Sequence, residues 1–132
     1  GDNHIREKVF YEGLQAELSP VNAISQKSII NPDVSLGKGI VVSPGVVLSH
    51  GVSVGDNVLI DSGVVIDVNS VVCDHSCFFP GVVVCGGCTI EKNVTLRAGV
   101  IVEPDLIIGK NQVIPAGTSI LESQKGLYRE ES

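Results

Sequence analysis

The sequence has no tryptophan and no methionine, and aromatic residues make up only 4% of its 132 positions. A core of this size normally depends on large aromatic and leucine side chains, so this chain must bury small branched side chains in a repetitive way. No apolar run approaches the roughly 20 residues that a membrane-spanning helix needs, and no signal peptide is visible. We therefore expect one domain without a membrane segment.

Basic residues are also few, with 9 Lys and Arg against 15 Asp and Glu and a net charge of -6. This charge argues against binding to nucleic acid or to an anionic membrane surface. Four cysteines without a secretory segment predict reduced thiols and a cytoplasmic location.

What the sequence does have is a period of six. Large apolar residues recur at every sixth position from Ile30 to Ile120, and four positions after each comes a second slot of mostly small residues. The slot just before the second one holds residue types that readily adopt a positive φ. Its members are Asp33, Gly39, Gly45, Gly51, Asn57, Gly63, Asn69, His75, Gly81, Gly87, Asn93, Gly99, Asp105, Asn111 and Gly117.

Short strands joined by sharp corners have this period, whereas neither a helix nor an alternating strand does. The fold class predicted is all-β: a left-handed parallel β-helix of about five coils, with a short N-terminal α-helix. We assign residues 21–121 to the β-helix and 122–132 to a polar tail that forms a short cap or a frayed end. In 1–20, Ile5, Val9, Leu14 and Leu18 recur near helical spacing, and we expect this helix to cover the first coil.

All four cysteines lie within residues 71–88, which read alone resemble a metal or redox cluster. In the register of the repeat, Cys73, Cys77 and Cys85 point outward, whereas Cys88 occupies the small inward slot. Ligands divided in this way cannot converge on zinc, so no metal site is predicted. We interpret the cysteines as small apolar side chains.

The outward cysteines, together with Phe79 and Val83, predict an apolar face and therefore a subunit interface. His75 occupies one of the positive-φ corners, where histidine is a tolerated residue type. It is either a corner residue alone or a residue with a chemical role.

Three segments resemble a known family. These are "REKVFYEGLQ", "NPDVSLGKGIVVSPGVVL" and "IDSGVVIDVNSVVCDHSCFFPGVVVCGGCTIEKNVTLRAGVIV". Together they resemble the hexapeptide-repeat acyltransferases of the sialic-acid and bacillosamine type, sugar O- and N-acetyltransferases, over about residues 6–120. The corners Pro80–Gly81 and Gly86–Gly87 match the family's order, and the first segment is similar to the last helix of its nucleotide-sugar-binding domain.

The resemblance implies direct transfer of an acetyl group from acetyl-CoA to an amine or hydroxyl of a sugar or nucleotide-sugar. It further implies a homotrimer with a small-molecule sugar substrate. In the family, a histidine acts as general base between two subunits, and a carboxylate fixes its tautomer.

The family's acidic–histidine–acidic triplet reads Asp67-Val68-Asn69 here, so a valine occupies the position of the base. A second family histidine aligns with Cys77. Because valine cannot accept a proton, either the chemistry has been lost or the base has moved.

Two histidines are candidates for a moved base. His50 lies 18 residues before Val68 and therefore one coil away in the same corner column. His75 lies one side further on, beside Asp74, which would orient it. His4 is expected on the surface of the helix.

For the phosphates of CoA, Lys92 and Lys110 stack in one corner column, and Arg97 lies on a neighbouring side. The resemblance adds Gly86 and Gly87 to this cofactor-binding set. The alternative is a solvated corner whose lysines serve solubility.

Three functions follow from these observations. The first is an acyl-CoA-dependent sugar acyltransferase with an altered catalytic centre, and the second is a catalytically silent trimeric scaffold. A metalloenzyme of the carbonic-anhydrase type is disfavoured, because only His50 and His75 lie in the repeat, on different corners. The acceptor sugar does not follow from the sequence.

Overall fold

The computed structural model describes residues 2–16 and 20–125. Within these residues the chain forms one helix, α1 (Asp2–Gln15), and seventeen strands of two residues each. The strands are β1 Ala23–Ile24, β2 Ile29–Ile30, β3 Ser35–Leu36, β4 Val41–Val42, β5 Val47–Leu48, β6 Ser53–Val54, β7 Leu59–Ile60, β8 Val65–Ile66, β9 Val71–Val72, β10 Cys77–Phe78, β11 Val83–Val84, β12 Thr89–Ile90, β13 Thr95–Leu96, β14 Ile101–Val102, β15 Ile107–Ile108, β16 Val113–Ile114 and β17 Ser119–Ile120.

The strands form three parallel sheets, the sides of a solenoid of about five turns. Every third strand joins the same sheet: β1-β4-β7-β10-β13-β16 in sheet A, β2-β5-β8-β11-β14-β17 in sheet B and β3-β6-β9-β12-β15 in sheet C. Paired residues are 18 apart, as in Leu59↔Cys77↔Thr95. The predicted β-helix with one N-terminal helix is confirmed.

The corners between the sheets need the backbone conformation that the sequence predicted. All predicted corner positions from Gly39 to Gly117 have a positive φ, between 56° at Asn57 and 78° at Gly45. Asp33 is the exception. It lies at the start of the solenoid, where its amide donates to the side chain of Asn31 at 3.3 Å.

The core lies inside the triangle and is built from the slots predicted to point inward. Residues of the six-residue series are buried from Val42 to Ile120, whereas Ile30 and Leu36 in the first coil are only partly buried. The inward hydroxyls are satisfied: Ser70 donates to the carbonyl of Cys85 at 2.9 Å, and Ser76 donates to that of Glu91 at 3.0 Å. The core is thus built mostly from Val, Ile and Leu side chains repeated along the solenoid, and not from large aromatic side chains.

Helix α1 presents the opposite face from the one that its apolar residues predict. Ile5, Val9 and Leu14 are 65%, 60% and 42% exposed, and Leu18 lies outside the described residues. The helix contacts the solenoid through polar and aromatic side chains, because the corners beneath it present amide groups and an imidazole that need partners. Instead of closing the first coil alone, α1 lies lengthwise beside the corners that contain Gly39, Asn57, His75 and Asn93.

The described part of the predicted tail pairs with a strand edge. Gln124 forms an isolated parallel bridge with Ile108, and its amide donates to the carbonyl of Ile107 at 2.8 Å. The rest of the tail lies outside the described residues. In the described parts of the chain, no helix has the length and apolar character needed to cross a bilayer.

Candidate functional site

The corner between sheets B and C contains Val68, the position at which the sequence resemblance implies a base. At this corner His50, Val68 and Gly86 stack on successive coils, and we name them the B–C column. Backbone hydrogen bonds link these coils. Asn69 donates to the carbonyl of His50 and Gly87 to that of Val68, both at 2.9 Å. The predicted stacking is therefore present, and Val68 is 40% exposed.

His50 contacts a carboxylate that the sequence did not point to. Its Nδ1 lies 2.5 Å from Oδ2 of Asp33, and the two side chains are 68% and 42% exposed. The other oxygen of Asp33 accepts from the amide of Gly51 at 3.2 Å. Both oxygens of this carboxylate thus have partners on the His50–Gly51 corner.

Gly86 allows the coils of the B–C column to approach closely. A Cβ at this position would lie 3.2 Å from the carbonyl oxygen of Val68 and 3.9 Å from Oδ2 of Asp67. Gly87 has a φ of 72°, and a Cβ there would meet Oδ1 of Asp105. The fold alone accounts for both glycines, and their role with a cofactor remains a prediction.

His75 lies at the next corner, between sheets C and A, and α1 covers it completely. The residue is 0% exposed. Nδ1 lies 2.9 Å from Nδ2 of Asn57, and Nε2 lies 3.2 Å from the hydroxyl of Tyr11. The rings of Tyr11 and Phe10 contact the imidazole edge-on, with centroids 5.3 and 5.7 Å away. A catalytic role for His75 therefore stays a prediction that requires α1 to move.

Burial lowers the pKa of His75 below its ordinary value, although the nearby Glu7 and Asp74 oppose this effect. The Glu7 carboxylate lies 3.9 Å from Nε2 and accepts from the side chain of Asn93 at 2.9 Å. The Asn93 hydrogen bond is the main reason why the pKa of Glu7 is lowered. Burial, and not the contact with Glu7, therefore favours a neutral imidazole between α1 and the corner.

Asp74, which the sequence predicts to orient His75, contacts the backbone of a neighbouring coil. One of its oxygens accepts from the amide of Asp56, 18 residues earlier, at 2.7 Å. Asp56 accepts in the same way from the amide of Lys38 at 2.9 Å. These aspartates therefore cap backbone amides at successive coils, and an orienting role for Asp74 remains untested.

Lys92 and Lys110 follow Asp74 at intervals of 18 residues, so they lie in the same corner column as Asp56 and Asp74, as the register predicted. They line one pocket of about 360 Å³ with Cys73 and Glu91. Nζ of Lys92 lies 3.6 Å from Glu7 of α1. Two cations beside an open pocket are suited to an anion, although Glu7 already neutralises part of the charge.

Arg97 lies apart from these lysines, at the corner between sheets A and B. Its guanidinium carbon stands 5.2 Å from the centroid of the Phe79 ring. It lines a second pocket of about 360 Å³, which Arg6 of α1 and Asp61 also line. The structure therefore does not bring Arg97 together with Lys92 and Lys110 at one corner.

The cysteines occupy three different sides instead of one cluster. Cys88 points into the core as predicted, and Cys73 and Cys85 are half-buried at the ends of strands in sheets C and B. Cys77, predicted to be outward, is buried beside Arg6 of α1. The single apolar face expected from these cysteines, Phe79 and Val83 is therefore wrong, because successive strands turn to different sheets.

The thiols have the chemistry of buried side chains. Burial raises the pKa of Cys73, Cys85 and Cys88, which lowers the fraction of reactive thiolate. Within the described residues, no group of three or more His, Cys, Asp or Glu side chains is arranged to hold a metal ion.

Several residues around the two histidines were missed in the sequence. Glu7, Phe10 and Tyr11 have i, i+3 and i+4 spacing, which places them on one helical face, and this signal was available. Asn57 lies 18 residues before His75, so the register also predicts their contact. Asp33 offers no comparable signal, because the repeat fixes the backbone of a corner and not the direction of its side chain.

The fold and its six-residue register define a hexapeptide-repeat parallel β-helix. No family model matches the chain, and no curated protein matches it. Solved structures do match. One is perosamine N-acetyltransferase from Caulobacter crescentus in complex with CoA and GDP-perosamine, with 28% identity and a TM-score of 0.93, covering 95% of this chain and 60% of that one.

Two further structures show likeness of fold. The acetyltransferase domain of PglB from Neisseria gonorrhoeae has 19% identity and a TM-score of 0.91, covering 92% of this chain and 60% of that one. WeeI from Acinetobacter baumannii has 18% identity and a TM-score of 0.73, covering 90% and 61%. The PglB domain has also been solved in complex with acetyl coenzyme A.

The chain is therefore similar to perosamine N-acetyltransferase and shares its fold with the acetyltransferase domain of PglB, which confirms the resemblance found in the sequence. The chain spans about 60% of the length of these neighbours.

Proposed function

We propose that this chain is the β-helix part of an acyltransferase that moves an acetyl group from acetyl-CoA to an amine or hydroxyl of a sugar or nucleotide-sugar. The observation that carries the proposal is the match to perosamine N-acetyltransferase, whose structure with CoA and GDP-perosamine shares the fold over 95% of this chain. The catalytic centre is altered, because Val68 stands where the sequence resemblance places the base.

The chemistry requires one proton to leave the acceptor. The acceptor nitrogen or oxygen attacks the thioester carbonyl carbon, the carbon–sulfur bond breaks, and the acceptor proton finally resides on the CoA thiol. An imidazole is the side chain best matched to this transfer near neutral pH. The B–C column retains Asp67 beside Val68, and the exposed ring of His50 lies one coil away. The burial of His75 supports His50 over His75 as the base.

For the co-substrate, we propose that Lys92 and Lys110 contact the phosphates of acetyl-CoA, with Gly86 and Gly87 along the adjoining corner. The pocket that both lysines line supports this assignment. Arg97 lies at another corner, between sheets A and B. We propose that it contacts the part of acetyl-CoA that extends across sheet A.

Calorimetry with acetyl-CoA tests the co-substrate. The double variant Lys92→Ala/Lys110→Ala should weaken binding at least tenfold at low salt, because two charge-assisted contacts are lost. Lys38→Ala is the matched control, since Lys38 occupies the same corner column at the other end of the solenoid. Equal affinities in all three proteins would contradict the assignment, and absence of binding by the unaltered chain would contradict the proposed function.

A catalytically silent scaffold is the second candidate. The observation in its favour is Val68 itself, because an apolar side chain at the position of the base cannot assist the transfer. The two candidates differ in one measurement: a silent scaffold gives no amine-dependent release of CoA.

We also propose a homotrimer that packs through sheet B. The outward residue of its strands is apolar in five successive coils, namely Ile29, Val47, Val65, Val83 and Ile101. Serine and threonine interrupt the corresponding column of sheet C, at Ser35, Ser53 and Thr89. A continuous apolar ladder of this kind favours burial against a second copy of the chain.

A further inference from the structure

We infer that Asp33 and His50 form the general-base pair of this chain, with Nε2 of His50 taking the acceptor proton and Asp33 positioning the ring. The inference rests on the proposed function and deepens it, because it names the atom that replaces the histidine missing at Val68. It starts from the contact of 2.5 Å between Nδ1 of His50 and Oδ2 of Asp33.

The carboxylate fixes the tautomer of the ring. A deprotonated carboxylate only accepts hydrogen bonds, so Nδ1 of His50 must carry a proton when it faces Asp33. In the neutral ring the lone pair is then on Nε2. Within residues 2–16 and 20–125, no side chain or backbone group is bonded to Nε2, which leaves this atom available to an acceptor.

The pair is held in position by the coil beneath it. Oδ1 of Asp33 accepts from the amide of Gly51 at 3.2 Å, and the Asp33 amide donates to Asn31 at 3.3 Å. Two contacts on the carboxylate and one on its backbone restrict its orientation. An ordinary surface ion pair between two long flexible side chains lacks this restraint.

The location also suits the reaction. The carbonyl of His50 accepts from the amide of Asn69, so the pair lies directly beneath Val68 on the same corner. Adjacent coils are separated by about 4.8 Å, the spacing of neighbouring strands. A displacement of this size would disable an unaltered site. The acceptor must therefore bind about one coil lower than a base at position 68 would require.

The proton transfer balances with groups already named. The acceptor nitrogen forms a bond to the carbonyl carbon of the thioester, and Nε2 of His50 removes the proton from that nitrogen. The carbon–sulfur bond then breaks, and the imidazolium returns the proton to the CoA sulfur. Asp33 stabilises the positive charge on the ring between these two steps and remains deprotonated.

The test measures CoA release by chromatography, since the protein's own thiols interfere with thiol reagents. The reaction contains acetyl-CoA and either GDP-perosamine or glucosamine as the amine probe. His50→Ala should lower kcat about 100-fold or more with little change in KM, as expected for loss of a general base. Added imidazole should restore part of the rate to His50→Ala. His4→Ala, an exposed histidine on α1, should behave as the unaltered protein.

Asp33→Asn tests whether Asp33 positions the ring of His50. The measurement is which nitrogen of His50 carries the proton, which a residue with only a structural role would not change. Long-range proton–nitrogen NMR spectra of histidine-labelled protein should show His50 protonated on Nδ1 in the unaltered chain. In the variant, the side-chain amide introduced at position 33 can donate to Nδ1, so the proton should shift to Nε2. The kcat should then fall, and imidazole should give no rescue.

The outcomes separate the inference from the proposed function. If the unaltered protein releases CoA with an amine probe and His50→Ala is equally fast, the base pair is overturned while the acyltransferase stands. If the unaltered protein binds acetyl-CoA and releases no CoA with either probe, the proposed function fails, and the base fails with it. A proton on Nε2 of His50 in the unaltered protein overturns the geometry by itself.

Discussion

At the scale of single residues, the structure separates two histidines that the sequence treats alike. His50 is exposed and paired with Asp33, whereas His75 is buried beneath Phe10 and Tyr11 of α1. Both occupy solenoid corners, yet only one presents a nitrogen to solvent. Exposure, and not sequence position, therefore decides which of them is suited to proton transfer.

Val68 gives the first prediction at this scale. The substitution Val68→His should leave amine-dependent CoA release unchanged within about twofold, both in the unaltered background and in His50→Ala, because the acceptor binds about one coil lower than a base at this position requires. Val68 is 40% exposed, so the larger ring enters solvent and not the core. Val68→Asn is the control, since it is polar and not basic. A rate for Val68→His well above that of Val68→Asn would contradict the displacement of the acceptor by one coil.

The buried imidazole gives a second prediction. Burial lowers the pKa of His75 in the folded chain below the unfolded value of about 6.5. The unfolded state therefore binds more protons in this window, so the free energy of unfolding must fall as the pH drops from about 6.5 toward the lowered pKa. Urea midpoints at pH 7.5 and 5.5 should differ less in His75→Asn than in the unaltered protein.

Asparagine suits this corner because Asn57 and Asn93, on the neighbouring coils, already have a positive φ. His4→Asn, at an exposed position on α1, controls for the general effect of losing a histidine. An unchanged pH dependence in His75→Asn would mean that the imidazole is protonated equally in both states.

At the scale of elements, the solenoid coil was predictable and the helix packing was not. The positive-φ types at positions such as Asn57 and His75 fixed the corners, and the six-residue apolar series fixed the core. The face of α1 was misread because Ile5 and Val9 suggested an aliphatic contact, whereas the helix docks by polar and aromatic side chains. The candidate site followed the same division: the stacking of His50 and Val68 was predictable from the register, but the contact with Asp33 was not.

The corner element carries its own prediction. Asn111 has a φ of 66° and an exposed side chain, so a substitution there tests the backbone conformation alone. Asn111→Val should lower the free energy of unfolding by about 1–2 kcal/mol, because a β-branched residue is strained in the left-handed region. Asn111→Gly should have a much smaller effect. Urea denaturation of both variants provides the comparison, and equal losses would show that the lost side chain, and not φ, is responsible.

At the scale of the whole molecule, the three sides of the solenoid have different outer surfaces. Sheet A is partly covered by α1, sheet C mixes serine and threonine with apolar residues, and sheet B presents an apolar ladder over five successive strands, from Ile29 to Ile101, before Ser119. Since the interior is already filled, this ladder is not needed for the core of one chain. Its apolar character supports the proposed contact between copies.

Assembly through sheet B gives the last prediction. Val83→Lys places a charge in the middle of the ladder, where burial against a second chain would leave it unpaired at a cost of several kcal/mol. The unaltered protein should sediment at three times the chain mass, and Val83→Lys should sediment as a monomer with little change in its unfolding. Thr89→Lys is the matched control, because Thr89 is the outward residue of the next strand and is also half-buried. Dissociation by both lysines would contradict a specific role for sheet B, and a monomeric unaltered chain would contradict the trimer itself.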